Sequence, residues 1–205
     1  MRRYICIDFE TNGFRSPAGA PRSDWTLPFS SYPTQLSVDV VEEGVVWHAF
    51  DTCIRGATSL APWVRENVPV SMEDIRGGRK FEDVLEELAN LIQEGDTLVA
   101  HNANFDINMV IVRAARLLAI KSPALDRILA CPRFCTMRSA YARTIRGDGK
   151  WPSMAQLCEH FEVTLRCAHD ARGDSEALAN CVAEAWRRGV MLPDAQGSGE
   201  ERGAA

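Results

Sequence analysis

The 205-residue sequence lacks an apolar run long enough to span a bilayer, and it has no visible internal repeat. It also leaves no room for a signal peptide, because Met1-Arg2-Arg3 leads directly into the first predicted strand. We therefore expect an intracellular protein, cytoplasmic or nuclear, with no membrane partner. Its hydrophobic and charged fractions, 46% and 25%, are ordinary for a globular protein, and this length can bury one core, so we expect a single domain.

The cysteines indicate neither a disulfide framework nor a zinc site. There are seven, an odd number, and they are scattered through apparent core segments, as is typical of reduced thiols. Cys131 and Cys135 have no second cysteine or histidine pair nearby, so we predict that they are core residues.

An excess of positive charge is also missing. The formal net charge of −5 argues against a protein that coats nucleic-acid phosphates generally, although metal ions could supply positive charge locally. One short segment, with Asp148 as its only acid, is rich in cations: Arg138, Arg143, Arg146 and Lys150. This basic segment is either a local nucleic-acid patch or a solvated helix face and loop.

What the sequence does contain is an apolar, β-prone stretch at residues 4–13, which predicts a central strand covered on both faces. Asp8 and Glu10 lie two positions apart on it, so their side chains project to the same side, just before the turn signal Asn12-Gly13. Two carboxylates at the edge of a core repel each other and are costly to desolvate unless a cation lies between them. Mg²⁺ or Mn²⁺ would satisfy them, and a strand that simply ends in solvated acids is the alternative.

The rest of the chain predicts an alternation of strands and helices. A long loop at residues 14–33 carries Phe14, Trp25, Phe29 and Tyr32, which could stack on bases or pack onto the protein body. The later elements are, in order, a hairpin of strands at 35–41 and 45–54, short helical turns within 60–78, a helix at 81–94, a strand at 97–100, a helix that includes Asp106, a strand at 129–136, and helices at 137–145, 154–161 and 171–188.

Two of these helices begin with an acid. Asp106 falls in the first turn after the strand at 97–100, where the helix dipole favours its ionised form and Asn102 or Asn104 could be the N-cap. The buried stripe of this helix is predicted to be Ile107, Val110, Ile111, Ala114 and Leu118. Asp174 heads the buried stripe of the last helix, where ordinary packing would place an apolar residue, and His169 lies just before it.

An open α/β sheet gathers strand ends and helix starts at one edge. Asp8, Glu10, Asp106 and Asp174 all fall at such positions, and four converging carboxylates need cations between them. Two divalent ions about 3.5–4 Å apart would turn the cluster into a site for cutting phosphodiesters. His169 could then accept the proton of the attacking water.

Three motifs in this order resemble those of the DnaQ-like, DEDDh class of 3′-to-5′ exonucleases: Asp8-x-Glu10-Thr11, His101-Asn-x-x-Phe-Asp106 and His169-x-Ala171-x-x-Asp174. Each motif is weak alone, but the ordered set is specific. The segment Ser153-Met-x-x-Leu157-Cys158-x-x-Phe161 is also similar to the one before the last motif in the proofreading ε subunit of bacterial DNA polymerase III. The resemblance covers the chain from the first strand to about Gly189.

The resemblance implies an α/β, ribonuclease H-like fold with a mixed five-stranded sheet flanked by helices. We expect an exonuclease domain at residues 1–189 and, from its composition, a disordered tail at 190–205. The implied activity is the release of nucleoside 5′-monophosphates from free 3′ ends of single-stranded DNA or RNA with two Mg²⁺ or Mn²⁺ ions.

The resemblance also implies a role for each site residue. Asp8 would bridge both ions, Glu10 and Asp174 would bind the catalytic ion, Asp106 would support the second ion, and His169 would deprotonate the attacking water. The 3′-terminal nucleotide would be contacted by Thr11 and its neighbours in the turn, Asn12 and Phe14. Asn12 itself stands where the family often has threonine.

Two departures leave the substrate open between DNA and RNA. Val68-Pro69-Val70 stands where members resembling the ε subunit often have His-Gly-Ile, and the loop at 14–33 is long. A homodimer and a polymerase-type partner are both compatible with the sequence. The competing functions are a catalytically inactive nucleic-acid-binding or scaffold module of nuclease origin, and a phosphoesterase acting on small nucleotides. We expect His101 and His160 to be structural, whereas Trp25, Trp63 and Trp151 are either stacking platforms or packed rim residues.

Overall fold

A computed structural model of the chain describes residues 2–13, 31–190 and 192. The predictions for Phe14, for most of the long loop and for nearly all of the tail lie outside the described residues. No helix in the described part of the chain is both long and apolar enough to cross a membrane.

Five strands form one mixed sheet in the order β3-β2-β1-β4-β5, so the first strand is central, as predicted. β1 pairs antiparallel with β2 and parallel with β4, β2 pairs antiparallel with β3, and β4 pairs parallel with β5. The predicted hairpin is confirmed as β2 and β3. The strands are β1 (Arg3–Thr11), β2 (Pro33–Glu42), β3 (Val45–Cys53), β4 (Thr97–Ala100) and β5 (Arg133–Cys135).

Helices cover both faces of this sheet. A nine-residue π-helix, Asn104–Val112, follows β4 and continues directly into the short helix α4. The α-helices are α1 (Pro62–Asn67), α2 (Met72–Gly77), α3 (Phe81–Leu91), α4 (Arg113–Leu117), α5 (Pro123–Ala130), α6 (Ala142–Arg146), α7 (Met154–Phe161) and α8 (Ala171–Arg188). Ser153 caps α7 through a capping box with Gln156, and Gly189 ends α8 in the left-handed conformation, φ 63°.

The central strand is buried on both faces because its side chains alternate between two cores. Ile5, Ile7 and Phe9 pack with α3, the π-helix and α5. Tyr4 and Cys6 pack on the other side with α7 and α8. Asp8 and Glu10 belong by alternation to this second side, which places them on the face that α8 covers.

Two predicted segments are shorter in the structure than expected. Residues 129 and 130 belong to α5, so the strand predicted at 129–136 begins only at Arg133. The sequence does carry the start of α5, because Ser122 accepts the N–H of Leu125 and Pro123 occupies the first turn. The helix predicted at 137–145 is restricted to α6, which starts at Ala142 after a series of turns.

The predicted asparagine cap near Asp106 is wrong. The π-helix begins after Ala103 without any side-chain cap, and Asn102 lies in a left-handed conformation, φ 87°. The Asn104 side chain instead accepts a hydrogen bond from Asn108, at 2.9 Å. Leu118 is 43% exposed, so the buried stripe ends one turn earlier than predicted.

Candidate active site

The first part of the site is the carboxyl end of β1, where the strand ends at Thr11 and the chain bends at Asn12. The pairing with β2 shifts register between Glu10 and Thr11, and Asn12 then fixes the turn. The backbone N–H of Asn12 donates to the Tyr32 carbonyl at 2.9 Å, and its side-chain oxygen accepts the Tyr32 N–H at 2.7 Å. The Asn12 carbonyl accepts the Ala61 N–H at 2.9 Å, which ties α1 to the same turn.

Asp106 enters from the first turn of the π-helix and is 2% exposed. Its Oδ1 accepts the backbone N–H of Phe9 at 3.2 Å, so it is held directly beside the strand that carries Asp8 and Glu10. π-Helical segments are uncommon and occur often at functional sites. This one places a buried acid against the central strand.

Asp174 and His169 enter together from the start of α8. The backbone N–H of His169 donates to Asp174 Oδ2 at 2.9 Å, with His169 in a left-handed conformation, φ 64°. The approach to α8 is tight, because a Cβ on Gly173 would lie 2.6 Å from the Cys167 carbonyl oxygen. The His169 ring is exposed and packs edge-to-face on Trp63, with ring centroids 4.9 Å apart.

These elements bring the predicted acids and the histidine to one edge of the sheet, where Glu10, His169 and Asp174 form a tight group. Ligand atoms of Glu10, His169 and Asp174 lie within 4.8 Å of one another. Asp8 lies near Asp106, Glu10 and Asp174, whose charges act on it.

Burial and repulsion between carboxylates both raise the pKa values of acids in this cluster. Burial first, and then the charges of its acidic neighbours, raise the pKa of Asp8 well above its usual value and that of Glu10 to about 8. Burial raises the pKa of Asp106 to about 7, although the Phe9 N–H opposes the shift. Burial also raises the pKa of Asp174, while the His169 N–H and ring charge lower it. A metal-free cluster therefore holds protons near neutral pH.

This donor set fits a hard divalent cation. Carboxylate oxygens and one imidazole nitrogen lie close enough to share an ion, and oxygen donors are those that Mg²⁺ and Mn²⁺ prefer. Within the described part of the chain, no lysine or arginine forms an ion pair with Asp8, Glu10, Asp106 or Asp174. A bound divalent ion would supply positive charge that lets these acids ionise.

The residues predicted to contact substrate have different environments. Thr11 is 1% exposed, and its hydroxyl has no hydrogen-bond partner among the described residues. Asn12 is 6% exposed and its side-chain oxygen is already used by Tyr32. Phe14 lies outside the described residues.

The two histidines expected to be structural both have protein partners. The ring nitrogens of His101 lie 2.9 Å from Thr136 Oγ1 and 3.1 Å from the Pro152 carbonyl, and burial lowers the pKa of His101 to about 4. His160 Nε2 lies 2.8 Å from the Tyr141 hydroxyl.

The basic segment is partly neutralised by its own acid. Arg146 pairs with Asp148 at 2.9 Å, and the Arg143 guanidinium lies 4.3 Å above the Trp151 ring. Because His101 binds the Pro152 carbonyl, Trp151 is anchored next to the end of β4, at the same edge of the sheet as the acids.

Sequence reasoning missed several residues around Asp174. Asp170, the N-cap of α8, adds negative charge to the cluster, and β2 contributes three polar side chains that contact α8: Gln35, Ser37 and Asp39. A signal for these β2 residues was present in the sequence: polar residues alternate with apolar ones along the strand. Because alternate side chains point to opposite faces, this pattern places the polar groups together on one face, which here is covered.

A family model described as an exonuclease, RNase_T, matches residues 5–182. The chain belongs to this exonuclease family. It is therefore a nuclease-type hydrolase of the DnaQ-like group, as the three motifs predicted.

Among curated proteins, the chain is similar to the PolC-type DNA polymerase III of Streptococcus suis (strain 98HAH33), with 26% identity over 181 residues. That match covers 87% of this chain and 11% of the polymerase, so the chain spans about a tenth of the length of this relative.

Solved exonuclease structures share the fold. The nuclease domain of 3′hExo, described as a DEDDh family member bound to rAMP, matches with a TM-score of 0.65 at 16% identity, covering 93% of this chain and 94% of that one. Exonuclease X in complex with 5′ overhanging duplex DNA matches with a TM-score of 0.61 at 18% identity, covering 92% of each chain. The predicted ribonuclease H-like fold is confirmed.

Proposed function

We propose that this chain is a DEDDh-type 3′-to-5′ exonuclease. It hydrolyses phosphodiester bonds from the 3′ end of single-stranded DNA or RNA, releases nucleoside 5′-monophosphates, and uses two Mg²⁺ or Mn²⁺ ions. The observation that carries this proposal is the convergence of Glu10, Asp174 and His169 within 4.8 Å, beside Asp8 and the buried Asp106.

The acids hold the ions in this mechanism. Asp8, Glu10, Asp106 and Asp174 would hold these ions, with Glu10 and Asp174 at the catalytic one and Asp106 supporting the other. When bound, such ions supply positive charge at the scissile phosphate and lower the pKa of a bound water. The Phe9 N–H fixes Asp106 and the His169 N–H fixes Asp174, so both carboxylates are oriented before any ion arrives.

His169 is the general base. Its backbone N–H is occupied by Asp174, but its ring is exposed at the mouth of the cluster, where it can take a proton from water and release it to solvent. Trp63 packs against the ring and limits its rotation. The histidine is thus available to solvent while the acids beside it are largely covered.

The basic segment is proposed to contact the strand upstream of the 3′ end. It is anchored beside the end of β4 by His101, and it presents Arg143 together with Trp151. An arginine and an aromatic ring offer a phosphate contact and a stacking surface. Thr11 and Asn12 are proposed to face the terminal nucleotide.

The curated relative is a polymerase. This similarity supports the proposal that the chain acts inside the cell with a polymerase-type partner. A homodimer is the alternative assembly. The catalytic unit is proposed to be residues 1–189, with 190–205 as a tail that it does not need.

The test is a digestion of matched 5′-labelled DNA and RNA strands, single and double, with free or blocked 3′ ends. We expect progressive shortening of single strands with free 3′ ends in Mg²⁺ or Mn²⁺, and none with a chelator or with Asp174→Asn. Shortening that persists with blocked 3′ ends would contradict the direction of the reaction.

Two other outcomes would replace the proposal. Strand binding with no cleavage in either metal would identify an inactive binding module. Hydrolysis of mononucleotides with resistant oligonucleotides would identify a small-nucleotide phosphoesterase.

A further inference from the structure

The strand next to β1 places polar side chains on a covered face. Gln35, Ser37 and Asp39 of β2 alternate with apolar residues that fill the opposite core. Ser37 is 0% exposed and Asp39 is 1% exposed. We call these three residues the β2 ladder. Burying an acid and a hydroxyl is costly unless they are hydrogen-bonded, so their partners show what the ladder holds.

The partners on the helix side are Asp170, the N-cap of α8, and residues in the first turns of α8. Ser175 Oγ lies 2.5 Å from Asp39 Oδ2 and 2.7 Å from Ser37 Oγ. The carboxylate can only accept, so Ser175 donates to Asp39 and the Ser37 hydroxyl donates to Ser175. Arg172 Nη1 donates to Asp39 Oδ1 at 3.0 Å. Gln35 donates to the side chain of Asp170 at 3.4 Å.

Asp39 also has a partner on the solvent side. His48 of β3 lies 3.2 Å from Asp39 Oδ1, and its other ring nitrogen lies 3.0 Å from Asp51. The His48 ring also contacts Arg172. Both oxygens of Asp39 are therefore occupied, and the carboxylate has no freedom to turn away from α8.

The ladder lies beside the acids of β1. In the antiparallel register Gln35 is opposite Glu10 and Ser37 is opposite Asp8. Directly opposite residues project to the same face of a sheet. Asp174 lies between Arg172 and Ser175 along α8, so the contacts of β2 fix the helix on both sides of this acid.

We propose that the β2 ladder positions Asp174 against Glu10. Apolar packing alone would allow a helix to slide along its axis or rotate about it by a fraction of a turn. Hydrogen bonds to Arg172 and Ser175 fix both the position of α8 along its axis and its rotation about that axis. This inference rests on the proposed function, in which Asp174 binds an ion. Asp39, Ser37 and Gln35 are positioning residues and touch neither ion nor substrate.

Ser175→Ala and Asp39→Asn test the inference, and the first is expected to fold because alanine is a good helix former. Loss of a partner that orients a metal ligand typically costs about 10–100-fold in metal affinity or activity. We expect the Mn²⁺ dissociation constant, measured by calorimetry, to rise about tenfold, and kcat to fall by about 10–100-fold. KM for the strand should stay within about twofold of wild type, because the ladder does not touch substrate.

Asp96→Asn is the matched control. Asp96 is also a buried acid, 2% exposed, and it pairs with Arg3 at 3.4 Å, at the opposite end of β1. It should lower the melting temperature but leave the Mn²⁺ affinity and kcat unchanged. If Ser175→Ala and Asp39→Asn differ from wild type only as this control does, the inference is overturned.

The proposed function is tested separately in the same series. Failure of the wild type to require a divalent ion, or full activity of Asp174→Asn, would overturn the proposed function. A different result would overturn only the positioning role: Asp174→Asn is inactive, but Ser175→Ala and Asp39→Asn keep normal Mn²⁺ affinity and kcat.

Discussion

The two ends of β1 both bury acids, but they balance the charge differently. At the amino end, Asp96 pairs with Arg3 and accepts the Gln93 N–H at 2.7 Å. Burial still raises the pKa of Asp96, but this N–H and the Arg3 charge oppose the rise. At the carboxyl end, neighbouring carboxylates reinforce the effect of burial and raise the pKa of Asp8 and Glu10 further.

This difference separates a structural acid from a functional one. Where the chain supplies its own cation, the acid can ionise without help and serves stability. Where the surroundings of the acids are themselves acidic, ionisation needs an external cation or must wait for high pH. Burial alone does not distinguish the two ends of the strand.

The largest expected effect on activity comes from replacing an acid at the carboxyl end of β1. Asp8→Asn should lower the rate of strand digestion by more than about 10³-fold, because it removes a carboxylate proposed to hold the ions. The amino-end variant Asp96→Asn should keep the wild-type rate. Initial rates on a 5′-labelled strand measure both, and comparable losses in the two variants would remove the distinction between the ends.

A smaller loss of activity is expected when His169, the one non-acidic member of the cluster, is replaced. His169→Ala should lower kcat at neutral pH by about 10²–10⁴-fold, as is typical of a lost general base. Mn²⁺ binding measured by calorimetry should be largely retained, because the four acids remain. An unchanged kcat would assign activation of the water to another group.

The pH dependence of stability sharpens the comparison without any activity assay. Glu10 has a pKa of about 8 in the folded chain, above its usual 4.5, so the folded state binds its proton more tightly than the unfolded state. This stabilisation is complete below the usual pKa and is lost as pH rises through about 8. The metal-free melting temperature should therefore fall between pH 5 and 8, and Mn²⁺ should raise it more at pH 8.

Glu10→Gln is the matched variant for that measurement. It removes the charge and keeps the shape, so it should stabilise the metal-free protein at pH 8 by roughly 1–3 kcal/mol, or about 2–12 °C. It should also abolish digestion. A lower melting temperature for this variant at pH 8 would show that the carboxylate is satisfied without a cation.

The smallest effect is expected at Trp63. Edge-to-face ring contacts contribute about 0.5–1.5 kcal/mol, so Trp63→Ala should lower kcat by about 3–10-fold by loosening the His169 ring. Trp63→Phe keeps an aromatic edge and should recover most of the rate. If both variants instead raise KM with kcat unchanged, Trp63 contacts the nucleotide rather than the histidine.

Much of the site followed from local patterns. The separation of Asp8 and Glu10 by two positions on a strand fixes their common side, and Asp174 interrupts the helical period of α8 in a way that ordinary packing does not explain. The hairpin and the capped helix α7 followed from equally local signals. α5 did not, because its eight residues are too short for a clear helical period and run into β5.

The amino-acid sequence by itself determined which residues carry negative charge at strand ends and helix starts, because residue type and period are local properties. Only the tertiary structure decided that Asp39 and Ser175, 136 positions apart, hold the start of α8, and that the Trp63 ring packs against His169. It also decided which buried acid meets an arginine and which meets other acids. These contacts depend on strand register and helix placement, which are set by packing across the whole sheet rather than by neighbours in the chain.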